Sequence, residues 1–391
     1  MYTLKLNNEI KYFKPGDKVI DLIPIDEQKQ YMVCKINESI KELTYPLSEK
    51  LNNCEITLLK LDHLESGRAY EATLRYIISM AFANLYPNVD IKFNYNVSRA
   101  IFCQILNKDI KISKITNEVL NEVGRIIKAD LPIVRETVTV KEAIKIYQDQ
   151  KHDDKLNILK YRPDQVVNLY HCENYYDYMY CYMLPSTGFI SNYVIKPYSP
   201  GLIIQYPRYE LNAEIPEFNE EPTYGKTLRQ AGIWGKITKT DSIVGINHKI
   251  EEGNIVDFIQ TCEMKHNNML AEVGKQIKDE IDDIRLICIA GPSSSGKTTF
   301  CNRLRIELMS RGMISMDDYY LSKTEIAKIQ GVSDISHLDL EHINCLDINL
   351  FNQNLFDLIN GEEVTLPKYN FKTGKRENGK TLKISDSTPI M

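Results

Sequence analysis

The chain has 391 residues, 43% of them hydrophobic and 26% charged, the ordinary range for a folded globular protein and enough for two or three domains. Its 48 basic residues stand against 53 acidic ones, a net charge of −5, which excludes a basic surface that tracks phosphates along the whole chain. Nine cysteines without a CxxC pair exclude a disulfide framework and a cysteine-rich zinc module. The first ten residues lack a signal-peptide core, and the most membrane-like stretch, residues 76–86, is too short to span a bilayer. A cytoplasmic protein with no membrane partner is the expectation.

Tyr2, Leu4 and Leu6 alternate with Thr3 and Lys5, the period-two pattern of a half-buried strand. Asn7-Asn8 predicts a tight turn, and Ile10, Tyr12 and Lys14 continue a second strand up to Pro15-Gly16. Further strands are predicted at 31–36 and 55–59, making a small β-rich module with no visible chemistry. From Ser66 to Asn84, apolar residues recur at helical spacing (Tyr70, Leu74, Ile77, Ile78 and Ala81), and Pro87 stops the run. Strand-like and helical pieces then alternate to residue 209. Eleven tyrosines crowd residues 161–209, read as a sheet built with amphipathic aromatics. A base-stacking surface is the alternative, but it lacks interleaved arginine and lysine. Residues 212–227, with their glutamates, prolines and glycine, are the linker candidate. Leu270, Val273, Ile277 and Ile281 then predict a long helix, which leads into 285–290, an apolar run suited to a buried parallel strand.

That run is followed by Gly291-Pro292-Ser293-Ser294-Ser295-Gly296-Lys297-Thr298-Thr299, the pattern GxxxxGK[ST] in a strand–loop–helix setting. Glycines at 291 and 296 let the backbone curl so that successive N–H groups point at phosphate oxygens, and the next helix adds its positive N-terminal end. Lys297 is placed to reach the β- and γ-phosphates and Thr298 to offer its hydroxyl to Mg²⁺, so the loop is expected to bind ATP with Mg²⁺. The acids Asp317-Asp318 come next, where a proton could be taken from an attacking hydroxyl; a solvated acidic turn is the plain alternative.

On GPSSSGKTTF, ISMDDYY and LPKYNFKTGKR, residues 285–383 resemble the N-terminal part of the uridine kinase and phosphoribulokinase branch of P-loop kinases. On MYTLKLNNEIKYFKPGDKVIDLI, LPSTGFI and the order of its modules, the whole chain is similar to a nucleoside kinase with a threonyl-tRNA synthetase-like front end. The resemblance implies α+β N-terminal modules: a TGS-like β-grasp at 1–62, then an editing-like α/β domain at 63–211. A linker and helical connector follow at 212–283. Residues 284–391 would be a partial α/β P-loop kinase domain, its N-terminal half only, with an acidic Mg²⁺ ligand and an arginine-rich lid further on in the family.

Carried over by motif position, Asp317 matches the catalytic base, and Lys297 is the second catalytic residue. Tyr320 matches an aromatic lining the acceptor pocket, Tyr369 and Phe371 match aromatics that sandwich the base, and Arg376 matches a basic residue of the same stretch. Glu341 and His342 fall where the family contacts ribose. Gly374 stands where uridine kinases carry a histidine that reads uracil. A helix from Thr298 to Arg311 would leave few residues to return the chain, so either it stops early or Asp317 falls short of the phosphates. The editing-type histidine pair falls on Tyr70 and Leu74, and the cysteine and histidine on Met179 and Met183; none of these can do imidazole or thiolate chemistry. Cys181 and His171 nearby read as a buried cysteine and a surface histidine.

The expected function is ATP-dependent phosphoryl transfer to a nucleoside-like small-molecule acceptor, uridine kinase-like in type. The alternative is a catalytically incomplete nucleotide-binding protein whose front end contacts RNA or protein. No tRNA partner is expected, and a homo-oligomer covering an exposed sheet edge would be physically sensible.

Overall fold

The computed structural model describes residues 2–106, 111–292, 294–309, 312–335, 338–385 and 388–391. It divides into two compact units, residues 1–248 and 249–391. The first opens with β1 (Tyr2–Leu6), β2 (Glu9–Phe13), β3 (Val33–Ile36), β4 (Ser39–Glu42) and β5 (Glu55–Leu59). They form one mixed sheet of order β2-β1-β5-β3-β4, with β1 and β5 parallel. Asn7 and Asn8 sit at φ of 46° and 72°, and Asn37 and Glu38 at 45° and 69°, the left-handed pairs that two-residue hairpins require.

Helix α1 (Leu64–Leu85) matches the predicted run but is buried on more than one stripe: Tyr70, Leu74, Tyr76, Ile77 and Ile78 are all 0% exposed. It lies inside an apolar cluster that runs from Leu4 to Tyr206, so the core does not divide at residue 62. Two further sheets follow. One, of order β11-β12-β7-β6, joins β6 (Ile91–Val97), β7 (Ala100–Ile105), β11 (Val194–Tyr198) and β12 (Gly201–Gln205), with α2 (Ile112–Ala129) against β11 and β12. The other, of order β10-β9-β8, joins β8 (Val134–Thr139), β9 (Val166–Cys172) and β10 (Tyr175–Asp177). Against it pack α3 (Val140–Asp149) and α4 (Asp153–Leu159), around Ala143, Tyr147, Leu159 and Leu169. Of the tyrosines of this region, Tyr170, Tyr175 and Tyr206 are buried, whereas Tyr178 and Tyr180 are exposed.

Residues 212–221 are irregular as expected of a linker, but they are fastened to the first unit. Gln205 Nε2 donates to the Pro216 carbonyl at 2.6 Å, and the Asn219 amide to Ser98 Oγ at 2.9 Å. Proline at the first helical position then starts α5 (Pro222–Thr238). The units part at residues 248 and 249, within α6 (Ile243–Glu251), rather than at 212–227.

The second unit contains α7 (Ile255–Asp279), α8 (Lys297–Glu307), α9 (Lys323–Gln330), α10 (Ile348–Ile359) and the hairpin β13 (Val364–Asn370)–β14 (Lys375–Leu382). The predicted long helix is α7. It approaches α8 so closely at Gly274 that a Cβ there would stand 2.4 Å from Glu307 Cγ, and Lys278 pairs with Glu307 at 3.1 Å. The expected buried strand at 285–290 is not formed as such. Leu286 makes an isolated parallel bridge to Ile390, and only Ile287 and Ile289 pack into the cluster of Leu270, Leu304 and Met391. Leu286 and Cys288 stay exposed. A parallel strand is buried on both faces only where helices cover both; among the described residues only the α7–α8 side of this run is covered.

Candidate functional site

The run 285–287 has company. The Ile390 amide donates to the Arg285 carbonyl at 3.0 Å and the Ile287 amide to the Ile390 carbonyl at 2.8 Å. On the other side, the Met391 amide donates to the Gly312 carbonyl at 2.7 Å and the Ile314 amide to the Met391 carbonyl at 2.8 Å. Both are parallel patterns. Three short runs thus lie side by side with 390–391 in the middle. The segments after the outer two, 291–299 and 315–320, therefore leave from the same carboxyl-terminal edge, about 10 Å apart at two strand spacings. That edge is where open parallel sheets bind their ligands.

At the first segment the chain curls tightly. Gly296 takes φ of 85° as the N-cap of α8, and Ser294 sits at 59°. The Ser295 amide donates to the Pro292 carbonyl at 3.2 Å. A Cβ on Gly291 would lie 2.9 Å from Ser295 Oγ and 3.4 Å from Lys297 Cγ, so a side chain there would fill the cradle. Lys297 begins α8 and folds back over the loop, with Nζ donating to the carbonyls of Gly291 at 2.8 Å and Pro292 at 2.9 Å. Thr298 and Thr299 are exposed in the first turn. Ser293 lies outside the described residues. A curled backbone, a helix N-terminus, one ammonium and one exposed hydroxyl suit a polyphosphate with its Mg²⁺.

Helix α8 ends at Glu307, short of the predicted Arg311, with Met309 in the left-handed region at φ of 52°. Of the two alternatives drawn from the length of this helix, the early stop is the one found. After 312–314 the chain forms a 3₁₀ turn, Met316–Tyr319, which carries Asp317 and Asp318. The two acids part ways. The Asp318 carboxylate accepts the Tyr369 amide at 3.2 Å, tying the turn to the hairpin. Asp317 and Glu341 both lie close enough to Tyr320 to raise its phenol, after the larger effect of burial. Tyr320 donates its hydroxyl proton to the Leu340 carbonyl at 3.0 Å.

Three predicted aromatics meet here. Ring centroids are 5.6 Å apart for Tyr320 and Tyr369, 6.2 Å for Tyr320 and Phe371, and 4.9 Å for Tyr369 and Phe371. Phe371 is 68% exposed, an unusual state for a phenylalanine and one that leaves a ring face open. A cavity of about 450 Å³ is bounded by Ser315, Asp318, Lys368 and Lys380 among others, and none of the three aromatics lines it.

The remaining predicted contacts are engaged locally. His342 accepts the Asn344 amide through Nδ1 at 3.1 Å, and the exposed Glu341 donates its amide to Asp339 at 3.0 Å. Arg376 pairs with Asp347 at 2.8 Å. Asp347 escaped the sequence analysis, and Asp318 was named there only as the second acid of the pair, without its tie to the hairpin. Asp347 carried a signal, because an aspartate three residues before Leu350 at the head of an apolar run is an N-cap pattern. Asp318 carried none beyond being the second of two acids.

The synthetase-like positions of the first unit look different. Tyr70 and Leu74 are 0% exposed and Met183 is 1%, all within the core. Burial, with Glu71 and Glu65 nearby, pushes the Cys181 thiol up to about 12, so it stays protonated at neutral pH. His171 stacks on Tyr176 at 4.9 Å. No cluster of three histidine, cysteine or acidic side chains among the described residues is arranged to hold a metal ion. The LPSTGFI segment serves packing: Thr187 Oγ1 donates to the Ile126 carbonyl at 2.8 Å and accepts the Leu131 amide at 2.9 Å, locking the end of α2. No helix among the described residues is long and apolar enough to cross a membrane.

Comparison with known proteins agrees with both resemblances. Residues 286–390 match the model of the Phosphoribulokinase / Uridine kinase family. The N-terminal half is similar to threonine–tRNA ligases. That of Thermotoga neapolitana is 26% identical over 187 residues, 46% of this chain and 28% of the ligase. That of Acetivibrio thermocellus is 26% identical over 157 residues, 39% and 24% respectively. That of Clostridium kluyveri is 23% identical over 190 residues, 48% and 29%. The chain thus spans 24% to 29% of the length of these relatives.

Proposed function

We propose that the second unit binds Mg-ATP at residues 291–299 and transfers its γ-phosphoryl group to a hydroxyl of a nucleoside-like acceptor. The observation that carries this reading is the parallel pairing of 285–287 and 312–314 on either side of 390–391, which sends the glycine-rich loop and the Asp317 turn to one edge. The family match over 286–390 supports a nucleotide-binding, kinase-type role for this part of the chain.

In this reading Lys297 exchanges its two carbonyl partners for phosphate oxygens, while the loop amides and the start of α8 hold the rest of the chain of phosphates. Thr298 offers its hydroxyl to Mg²⁺, which when bound offsets charge on the phosphate oxygens. Asp317 takes the proton of the acceptor hydroxyl as that oxygen bonds to the γ-phosphorus and the β–γ bridging oxygen leaves with ADP. Tyr320, Tyr369 and Phe371 supply stacking faces for a base, with Glu341 and His342 on the ribose side. Glycine at 374 leaves base choice to stacking and shape.

The test is a calorimetric titration of Mg-ATP into the chain and its Lys297→Ala variant, followed by phosphorylation assays with the four common ribonucleosides. Loss of one charge-assisted contact, about 1.5–3 kcal/mol, should weaken binding roughly 10- to 100-fold in the variant. Equal binding by both proteins would sink the reading. Lys297-dependent binding without turnover would favour a nucleotide-binding protein that is not an enzyme, a second reading motivated by the exposed Leu286 and Cys288 on an otherwise buried type of strand.

A further inference from the structure

Arg376 was expected at the acceptor, yet its guanidinium is already held. Nη1 donates to Asp347 Oδ2 at 2.8 Å, and both side chains are about three-quarters buried, at 27% and 26% exposure. Asp347 does more than accept this bond. Its other oxygen accepts the Leu350 amide at 3.1 Å, capping α10, and its own amide donates to the Tyr319 carbonyl at 2.9 Å, the last residue of the turn that carries Asp317. One residue therefore joins α10, the acid turn and the hairpin.

The hairpin register gives that joint a consequence. Tyr369 is paired directly with Arg376 across β13 and β14. Directly opposed residues project from the same face of a hairpin, with Cβ atoms roughly 5 Å apart. Fixing Arg376 thus fixes Tyr369, whose amide is held from the other side by Asp318 at 3.2 Å. Tyr369 in turn contacts Tyr320 and Phe371, the aromatic group of the acceptor side.

We propose that the Asp347–Arg376 ion pair is a positioning device for the acceptor wall, and that Arg376 acts by holding the hairpin rather than by touching the acceptor. The proposal rests on the kinase reading above. Asp347→Asn separates its two duties, because asparagine caps a helix as well as aspartate does but carries no charge for Arg376. With Mg-ATP and the four common ribonucleosides as substrates, the variant should raise the acceptor KM roughly tenfold and leave kcat within about twofold. The Kd for Mg-ATP should not change. Arg376→Gln should give the same split, the double variant should be no worse than either single one, and Arg376→Lys should recover part of the affinity. Unchanged exchange of the α10 amides in Asp347→Asn would show that the cap survives.

An acceptor KM unaltered in Asp347→Asn, or an Arg376→Gln effect that adds in full to it, would overturn the proposal while leaving the kinase reading intact. If the unaltered chain phosphorylates no nucleoside although it binds Mg-ATP, the kinase reading fails and the proposal falls with it.

Discussion

Tyr70 stands where the resemblance to synthetase editing domains implies a histidine, and the structure gives it a mechanical task that can be measured. Its ring is 0% exposed, and its hydroxyl accepts the amides of Ser191 at 3.1 Å and Asn192 at 2.8 Å while donating to the Asn192 carbonyl at 2.7 Å. Tyr70→Phe keeps the ring and its packing but removes all three bonds. Each is worth about 1 kcal/mol net when made. Ser191 and Asn192 are exposed, so water can take over part of the loss, and about 2 kcal/mol is the expected total. For a unit of this size that corresponds to a fall of about 4–8 °C in Tm. The sharper assay is amide hydrogen exchange, read by mass spectrometry on peptides covering 189–193. A loss of about 2 kcal/mol from local opening predicts an increase of roughly 30-fold in exchange at those two amides. Exchange unchanged at Ser191 and Asn192, or a stability loss under about 0.5 kcal/mol, would refute the view that Tyr70 fastens this loop. Mg-ATP binding in the second unit should be untouched.

Other consequences follow from single contacts. A Cβ on Gly188 would lie 2.3 Å from Asp130 Oδ1, a carboxylate already held by the Gly188 amide at 3.1 Å, by Ser186 Oγ and by Lys29 at 2.8 Å. Gly188→Ala should therefore cost about 1–3 kcal/mol in urea unfolding, and Asp130→Gly, which suits the φ of 49° at that site, should relieve part of it in the double variant. Glu42 is 7% exposed, and burial raises its carboxyl above the usual 4.5 despite the Tyr170 hydroxyl at 3.0 Å and Arg135. A folded-state pKa raised above the unfolded one stabilises the protonated form: the contribution is complete below about pH 4.5 and is lost as pH rises through the folded value. Glu42→Gln should flatten that slope and match or exceed the parent in stability at pH 7, as read by thermal unfolding across pH 4–8. A variant less stable at pH 7 than at pH 4, relative to the parent, would contradict this. On the kinase side, Asp318→Ala should free the Tyr369 amide and raise its exchange rate without weakening Mg-ATP binding; faster exchange confined to other residues would count against the link.

Local information was enough for much of this molecule. The period-two runs, the Asn7-Asn8 turn, the helix around Tyr70 and Leu74 and the glycine-rich loop before a helix are all written in residue type and spacing, because hydrophobic periodicity and left-handed turn residues act over a few neighbours. Tyr369 and Phe371, in contrast, stood out only through the resemblance to uridine kinases. What lay beyond reach depended on partners distant in sequence. The run 285–290 has the composition of a buried strand, but how far it forms depends on whether both faces are covered, and among the described residues only the α7–α8 side is. Residues 212–227 have linker chemistry, yet Gln205 and Ser98 capture them. The reason Arg376 reads as a ligand contact from its motif and as a tether in the fold is the same: its spacing says where it lies on the hairpin, while Asp347, 29 residues earlier, decides what its charge is for. Sequence alone determined the residues on offer, a glycine-rich loop of GxxxxGK[ST] pattern followed by acids and aromatics. Only the tertiary structure decided that the loop and the acids share an edge, because parallel pairing through 390–391 joins segments that no local rule connects.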